Sequence, residues 1–282
     1  MIANVNDQLS PAVPNNPNFV DSLLHPQAIL IRQLLTRTGR IELSRILIDD
    51  EENILQALDS GVGIESVYYA GDAVVSDVLK KKLAPTVSIY EVAKRTTKKI
   101  FENDKLTRIF AIAKTPKPLE LDAITKIQRD IVVLEDVSIS GNIGAITRTS
   151  LALGVGGIVL LNTEHVDIYD RRLIRASRGY VFALPVIAAT TEAFIKFSQE
   201  QNLQLLVTNA HAEKLVQEIS PIPQRLMLVF GSEKDGCSQA LTDTATLQVR
   251  IPLDPRVESL NVSAAAGITL YSRVGFNQAK IK

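Results

Sequence analysis

Three short segments of the chain combine glycines with polar or charged residues in patterns that could support chemistry, and the first is SGNIGAITRTS at 140–150. Gly141 and Gly144 flank Asn142, and Arg148 lies four residues after Gly144. Glycines here permit close approach of the backbone to a ligand, and a helix that begins near Asn142 would present N–H groups to an anion. The segment lacks both the glycine spacing of a dinucleotide site and the Lys-Ser/Thr pair of a P-loop, which disfavours those two kinds of site.

The second and third segments carry a carboxylate and an amide. FGSEKDG at 230–236 places Glu233 between Gly231 and Gly236. This carboxylate could orient a base or a cationic group, or it could simply cap the next helix. IPLDPRVESLNVSAAAG at 251–267 has Ser259 and Ser263 around Asn261, followed by small residues that let backbones pass closely. A tightly packed helix start is the alternative interpretation of this third segment.

All three segments follow predicted strands in the part of the chain beyond residue 118. Apolar runs alternate with helical patterns there, which predicts a mostly parallel sheet covered on both faces. The predicted strands are DIVVLEDV, GGIVLLN, FALPVIAAT, LQLLVTN, RLMLVFGSE and LQVRIPL. In such a sheet the carboxyl ends of the strands form the ligand crevice. We therefore expect the three segments to converge on one pocket.

The first half of the chain has shorter elements that predict a small α/β sandwich at 21–115. Helices are predicted at 26–36, 51–61, 72–82 and 93–101, and strands at 42–49, 65–71, 87–92 and 108–115. Asp49 and Asp50 are possible caps for the second helix. The proline-containing KTPKPLELD at 114–122 has the composition of an interdomain connector. The 282 residues then divide into a polar, flexible lead-in at 1–20 and two domains at 21–115 and 119–282.

Charge is distributed unevenly along the first half, although the formal net charge of the chain is zero. Residues 41–77 hold nine acids and one base, whereas residues 78–117 hold eleven bases and three acids. The basic side includes Lys94, Arg95, Lys98 and Lys99, which could neutralise phosphates of a nucleic acid and make binding sensitive to salt. The alternative is a solvated helix face without a partner.

Composition also disfavours several classes of protein. A single cysteine and three histidines without ligand-like spacing disfavour a metal site. The first residues lack the basic and apolar stretches of a secretory signal, and no apolar run reaches the length of a membrane span. These observations predict a cytoplasmic protein.

The three segments, taken in order and spacing, resemble the motifs of the SpoU/TrmH branch of the SPOUT methyltransferases. The motifs are N-x-G-x-x-x-R, then a strand that ends F-G-S-E-x-x-G, then I-P followed by S-L-N-V-S, and the match extends through RLIRASRGYVFALPV at 172–186. The resemblance covers about 125–275. SISGN replaces the Asp-Pro turn that is frequent in the family, and thiostrepton and nosiheptide resistance rRNA methyltransferases also lack that dipeptide. The chain is most similar to those resistance enzymes.

The resemblance implies an α/β fold with a small N-terminal, ribosomal-protein-like α/β sandwich that binds substrate RNA and a C-terminal parallel sheet with a trefoil knot. It implies a homodimer, and it implies S-adenosylmethionine as the methyl donor. Arg148 would activate the ribose 2′-hydroxyl, hold a phosphate or stabilise the developing oxyanion, with Asn142, Glu233, Ser259 and Asn261 orienting the reactants and shaping the pocket. The implied cofactor residues are Thr208, Asn209, Gly231, Ser232, Glu233, Ile251, Pro252, Leu253, Leu260, Asn261, Val262 and Ser263.

Arg178 is implied to bind an RNA phosphate or the cofactor, and Arg175 is predicted to bind RNA together with the basic cluster Lys94, Arg95, Lys98 and Lys99. The implied reaction is 2′-O-methylation of an adenosine at the thiazole-antibiotic site of 23S rRNA. A tRNA or another rRNA is the alternative substrate. An RNA-binding protein that keeps the fold without the activity is a further alternative, and a nicotinamide dehydrogenase is a more distant one.

Overall fold

The N-terminal half forms a mixed five-stranded sheet in the computed structural model, which describes residues 17–102, 104–163, 165–232 and 234–281. The strands are β1 (Phe19–Val20), β2 (Arg45–Asp49), β3 (Ile64–Ala70), β4 (Ser88–Val92) and β5 (Ile109–Lys114), in the order β1-β4-β3-β5-β2. β5 runs antiparallel to both of its neighbours, and the other pairs are parallel. This half is therefore a mixed sheet covered by short helices.

The helices of this half are α1 (Pro26–Leu34), α2 (Arg37–Leu43), α3 (Glu51–Asp59), α4 (Asp77–Lys82) and α5 (Lys94–Ile100). On α5 the residues Thr96, Thr97 and Ile100 are buried. The basic residues of α5 therefore lie on its opposite, solvent-facing side.

The C-terminal half contains a sheet of seven strands within the described residues, and every pair of neighbours is parallel. The strands are β6 (Ile131–Glu135), β7 (Gly157–Leu161), β8 (Val186–Ala189), β9 (Leu205–Thr208), β10 (Lys214–Leu215), β11 (Met227–Phe230) and β12 (Leu247–Arg250). Their order is β10-β12-β9-β11-β6-β7-β8. The predicted parallel α/β fold of this half is confirmed.

The α-helices of the second half are α6 (Ser140–Ala152), α7 (Arg171–Ala176), α8 (Thr191–Glu200), α9 (Gln239–Thr244), α10 (Val262–Tyr271) and α11 (Val274–Gln278). Short 3₁₀ turns cover Leu121–Lys126, Tyr180–Phe182 and Val216–Ile219. Side chains alternate between the two faces of a strand. On β6 this sends Val132 and Leu134 into a core shared with the first half, and Ile131 and Val133 into a separate core against α8.

A junction of ion pairs joins the two halves. Arg171 donates to both carboxylate oxygens of Asp49 at 2.8 and 2.9 Å, and to Asp104 at 3.1 Å. Its guanidinium carbon lies 4.4 Å from the centre of the Phe101 ring. Arg40 contacts Asp167 at 2.7 Å and Asp170 at 3.2 Å. Because Arg171 and Asp49 are almost fully buried, the junction depends on the pair staying intact.

A second buried arginine fastens the end of the chain to the start of β6. Arg273 contacts Asp130 at 2.9 Å, and both side chains are fully buried. The same guanidinium donates to the carbonyls of Ile219, Ile222 and Gln224. Arg273 therefore closes a loop of the C-terminal half as well as neutralising a buried carboxylate.

The structure corrects several predicted boundaries. Phe19 and Val20 pair with β4, so the sheet begins inside the predicted lead-in, whose residues 1–16 lie outside the described ranges. The helix predicted at 72–82 begins only at Asp77, because Ser76 caps it by accepting from the Leu79 N–H at 3.1 Å. Asp50 occupies the N-cap position of α3 with a φ of 64° but forms no side-chain cap, so the predicted capping role is wrong.

Among the described residues, no helix combines the length and the apolar character that crossing a membrane requires.

Candidate functional site

A cavity of about 560 Å³ opens at the carboxyl ends of β9, β11 and β12. Three loops border it: the one after Thr208, the one after Phe230, and the one that leads from Arg250 to α10. Two of these are the second and third segments singled out in the sequence. The carboxyl edge of the parallel sheet thus forms a pocket, as expected for this architecture.

Most of the residues implied to bind the cofactor line this cavity. They are Thr208, Asn209, Gly231, Ser232, Ile251, Leu253, Leu260 and Val262, and the implied catalytic residue Ser259 lines it as well. Pro252, Asn261 and Ser263 are not among its lining residues, although their chain neighbours are. Glu233 lies outside the described residues.

Tight turns shape the loop after β11. The Gly236 N–H donates to the Ser232 carbonyl at 3.0 Å, and the Asp235 N–H donates to Ser232 Oγ at 3.1 Å. A Cβ on Gly231 would lie only 1.9 Å from the Gly236 carbonyl oxygen, and Gly236 itself has a φ of +69°. Only glycine fits both positions, which explains why the two glycines bracket this segment.

Hydrogen bonds also brace the loop after β9. Thr208 Oγ1 donates to the Val229 carbonyl at 3.2 Å, and Asn209 Nδ2 donates to Gln248 Oε1 at 3.0 Å. Asn209 also accepts from the His211 N–H at 2.9 Å. Thr208 and Asn209 therefore hold neighbouring strand ends in place besides lining the cavity.

Asn142 and Asn261 come together although they are far apart in sequence. Asn261 Nδ2 donates to Asn142 Oδ1 at 3.1 Å, across a separation of 119 residues. Asn261 caps α10, because its Oδ1 accepts from the Ser263 N–H at 2.9 Å and from the Ser263 hydroxyl at 2.5 Å. The first and third sequence segments therefore meet beside the cavity that the second and third border.

Arg148 is exposed on α6 and is not one of the cavity-lining residues. No hydrogen bond or ion pair joins its guanidinium to another described residue. The structure of a single chain thus leaves Arg148 available to a second molecule.

Several further residues line the cavity, although the family resemblance did not imply a cofactor role for them. They are His211, Lys234, Asp235, Cys237, Gln239, Thr242, Arg250 and Glu258. Lys234, Asp235, Arg250 and Glu258 supply charges of both signs, which suits a zwitterionic ligand. Burial raises the pKa of the Cys237 thiol to about 12, and nearby Glu135 adds to this effect, so the thiol is a neutral wall residue. In the sequence, the only indication that these residues line the cavity was that they lie within or near the loops that follow predicted strands.

Two of the arginines implied to bind RNA differ in their surroundings. Arg175 belongs to the junction, since it contacts Asp49 and also Asp104 at 3.3 Å. Both ends of its guanidinium already meet carboxylates, which favours a structural role over the predicted contact with RNA. Arg178 is half exposed and lies 3.5 Å from the exposed Glu52. Lys94, Arg95, Lys98 and Lys99 are all exposed.

Among the described residues, no group of three or more histidine, cysteine, aspartate or glutamate side chains is arranged to hold a metal ion.

Each half of the structure matches a different protein-family model. Residues 130–271 match the family model of the SpoU rRNA Methylase family, and residues 17–127 match that of the thiostrepton-resistance methylase N terminus. The 23S rRNA (adenosine(1067)-2′-O)-methyltransferase of Streptomyces azureus is 35% identical over 92% of this chain and 98% of its own length. The Streptomyces laurentii protein of the same name is 38% identical over 87% of this chain and 92% of its own length.

The fold agrees with solved structures. The AdoMet-bound rRNA methyltransferase from Sinorhizobium meliloti aligns with a TM-score of 0.79 at 27% identity, over 94% of this chain and 98% of that one. An RNA 2′-O ribose methyltransferase aligns with a TM-score of 0.77 at 27% identity, over 92% of this chain and 99% of that one. The strand-end cavity, the paired asparagines and these matches lead to one conclusion: the chain belongs to the SpoU rRNA methylase family and carries the N-terminal half of its thiostrepton-resistance members.

Proposed function

We propose that this protein transfers a methyl group from S-adenosylmethionine to the ribose 2′-hydroxyl of an adenosine in 23S rRNA, at the thiazole-antibiotic site. The convergence of three strand-end loops on one cavity, with Asn142 and Asn261 in contact beside it, carries the proposal. The Streptomyces relatives named for this reaction match almost the whole chain, including its N-terminal half. Their names supply the adenosine and the 23S rRNA of the proposal.

The residues present fit S-adenosylmethionine. The cavity of about 560 Å³ falls within the range of small-molecule sites, roughly 300–1,000 Å³. Ile251, Leu253 and Leu260 offer an apolar wall for the adenine ring, while backbone groups of the same loops offer hydrogen bonds. Lys234 and Glu258 supply opposite charges for the carboxylate and ammonium ends. When bound, this cofactor supplies an electrophilic methyl group on a sulfonium.

The chain's own residues must position the hydroxyl and manage its charge. A guanidinium is charged at any ordinary pH, so Arg148 is suited to holding a phosphate of the target nucleotide or stabilising the developing oxyanion. Asn142 would orient the ribose, with Asn261 fixing the Asn142 amide. Ser259, at the cavity wall, and Glu233 complete the proposed set of catalytic residues.

A homodimer is part of the proposal. Ile139, at the start of α6, is 58% exposed, and Ile268 and Tyr271 on α10 are 41% and 70% exposed. α6 and α10 pack together with the paired asparagines at their starts, so these exposed apolar side chains belong to the same pair of helices as the asparagines. A second copy that covers them would bring another Arg148 to the cavity. We further propose that the segment from β12 to α10 threads the family's trefoil knot.

Residues 21–115 are proposed to form a substrate-binding domain, and residues 119–282 are proposed to form a catalytic domain. The exposed lysines and arginine of α5 would bind rRNA phosphates, and Arg178 would extend this contact. A cytoplasmic location follows from the proposed ribosomal substrate. A tRNA or another rRNA is the alternative substrate, because the catalytic motifs are shared across such enzymes.

Mapping the modified nucleotide tests the proposal. Unmodified 23S rRNA and bulk tRNA are each incubated with protein and S-adenosylmethionine, and primer extension at limiting nucleotide concentration locates 2′-O-methyl groups. We expect one new stop, at an adenosine of 23S rRNA. A stop only in tRNA would overturn the proposed substrate, and cofactor binding without methylation of either RNA would identify a silent RNA-binding relative.

A further inference from the structure

A buried carboxylate that none of the sequence motifs includes lies next to the cofactor cavity. Glu135 ends β6, the strand between β11 and β7, and its exposure is only 1%. No cation of the described residues forms an ion pair with it. A buried carboxylate is costly unless hydrogen bonds compensate its lost hydration. The hydrogen-bond partners of Glu135 therefore show how its buried side chain is stabilised.

Each oxygen of Glu135 accepts one strong hydrogen bond. Oε2 accepts from the Ser238 backbone N–H at 2.7 Å, and Oε1 accepts from the Thr191 hydroxyl at 2.9 Å. That hydroxyl in turn accepts from Asn162 Nδ2 at 2.9 Å, so its own proton points to Glu135. Both contacts require an acceptor at Glu135, which a carboxylate provides at both oxygens.

The two contacts reach different parts of the molecule. Through Thr191 and Asn162, Glu135 joins the start of α8 to the end of β7. Through Ser238, it reaches the last residue before α9. Gly231, Ser232, Lys234, Asp235, Gly236 and Cys237 precede Ser238 and line the cavity, and we call this segment with Ser238 the cofactor loop.

Hydrogen bonds within the cofactor loop fix its shape, and Glu135 contacts the loop at its last residue, Ser238. The Ser232–Gly236 turn closes the loop on itself. Ser238 Oγ accepts from the Leu241 N–H at 3.3 Å, which caps α9 and leaves the Ser238 N–H for Glu135. The Glu135 bond thus ties the loop to β6, an interior strand of the sheet.

We propose that Glu135 is a positioning residue for cofactor binding, which holds the cofactor loop against β6 by accepting from the Ser238 N–H. This inference rests on the proposed function, since it takes the cavity to be the S-adenosylmethionine site. The loss of one hydrogen bond to a charged group is large enough to change an affinity about tenfold, which corresponds to about 1.4 kcal/mol. Loss of the bond should therefore weaken cofactor binding while leaving the reacting groups in place.

Three variants separate positioning from stability. Glu135→Met keeps the size of the side chain and removes both acceptors, and we expect the KM and Kd for S-adenosylmethionine to rise about tenfold, with kcat and the rRNA KM within about twofold. Thr191→Val removes the hydroxyl and its contacts with Glu135 and Asn162 but keeps the bond from the Ser238 N–H, so it should leave cofactor affinity unchanged. Glu135→Gln keeps a neutral acceptor and should fall between wild type and Glu135→Met.

The inference is overturned if calorimetry gives an unchanged cofactor Kd for Glu135→Met. A fall in the Tm alone, as large as that of Thr191→Val, would mean that Glu135 only stabilises the fold. A wild-type protein that bound no S-adenosylmethionine would instead overturn the proposed function itself. If Glu135→Met does not fold, Ser238→Pro removes the N–H at a backbone whose φ of −60° suits proline. Ser238→Ala is its matched control, because it keeps the N–H, and cofactor affinity equal in both variants would also contradict the proposal.

Discussion

The junction between the two halves and the exposed face of α5 are both rich in basic residues, yet they use those charges in opposite ways. At the junction, Arg40, Arg171 and Arg175 meet carboxylates from the other half and are largely removed from solvent. On α5, four cations face solvent while the opposite side of the helix is buried. Planar guanidinium groups suit fixed, multidentate pairing, whereas clustered exposed cations suit a diffuse polyanion.

The difference shows why a basic residue cannot be assigned to RNA from its sequence neighbourhood alone. Arg175 and Arg178 lie three positions apart in the same basic segment. Arg175 reaches Asp49, which is 126 positions away, while Arg178 faces only an exposed glutamate. Whether an arginine pairs within the protein or remains exposed to a partner depends on carboxylates that are distant in sequence, and these are seen only in the folded chain.

The sharpest test of the junction is Asp49→Asn. This change leaves Arg171 and Arg175 buried with only Asp104 to balance them. Breaking a buried ion pair costs about 3–5 kcal/mol, so we expect the free energy of unfolding in urea to fall by about that amount. Asp59→Asn, which removes an exposed contact with Lys82, is the control and should cost less than about 1 kcal/mol. Equal losses in the two variants would show that the junction is not a special stabilising region.

Arg148→Ala tests the one exposed arginine proposed for catalysis. Because the guanidinium lacks a partner among the described residues, its loss should leave the Tm unchanged. We expect methylation of 23S rRNA to fall about 100- to 1,000-fold, the range for removal of one group that stabilises an oxyanion. Calorimetry should give an unaltered S-adenosylmethionine affinity. Residual activity above a tenth of wild type would remove Arg148 from this role.

Charge reversal on α5 tests the recognition surface. In Lys98→Glu/Lys99→Glu we expect rRNA affinity to fall about tenfold or more at moderate salt, and the dependence of log affinity on log salt to become shallower, because fewer counterions are released. The cofactor Kd and the Tm should stay at wild-type values. Lys80→Glu/Lys81→Glu, on α4, is the matched control on another exposed basic helix. If affinity is unaffected by the α5 change, these lysines are a solvated helix face.

The smallest effect is expected from Arg178→Ala. Its 3.5 Å contact with Glu52 joins two exposed side chains, so stability should change by less than about 1 kcal/mol. Loss of one phosphate contact should lower rRNA affinity by a few-fold and reduce the salt slope by about one. Arg172→Ala, at another exposed position nearby, is the comparison. A destabilisation as large as that of Asp49→Asn would place Arg178 in the junction instead.

The sequence predicted the catalytic sheet well, because its strands are nearly continuous apolar runs of β-branched residues and leucine. Its motifs also predicted most of the cavity wall, since strand ends in a parallel sheet must converge. It could not predict that Glu135 and Ser238 meet, because their hydrogen bond joins positions 103 residues apart without a pattern in either segment. The helix predicted at 72–82 was too long because apolar Val74 and Val75 fit a helical period, whereas the Ser76 cap sets the true start.

The pair between Asp130 and Arg273 imposes an order on the assembly of the molecule. These residues are 143 positions apart, whereas every strand of the first sheet has been synthesised by Lys114. Domains generally fold as units during synthesis, N-terminal first. Every strand of the first half is thus made while the ribosome is still synthesising the remainder, but the buried pair of the second half can form only after Arg273 has been made. A protein truncated before Arg273 would keep the sequence of every strand of both sheets but would leave Asp130 buried without the guanidinium that neutralises it.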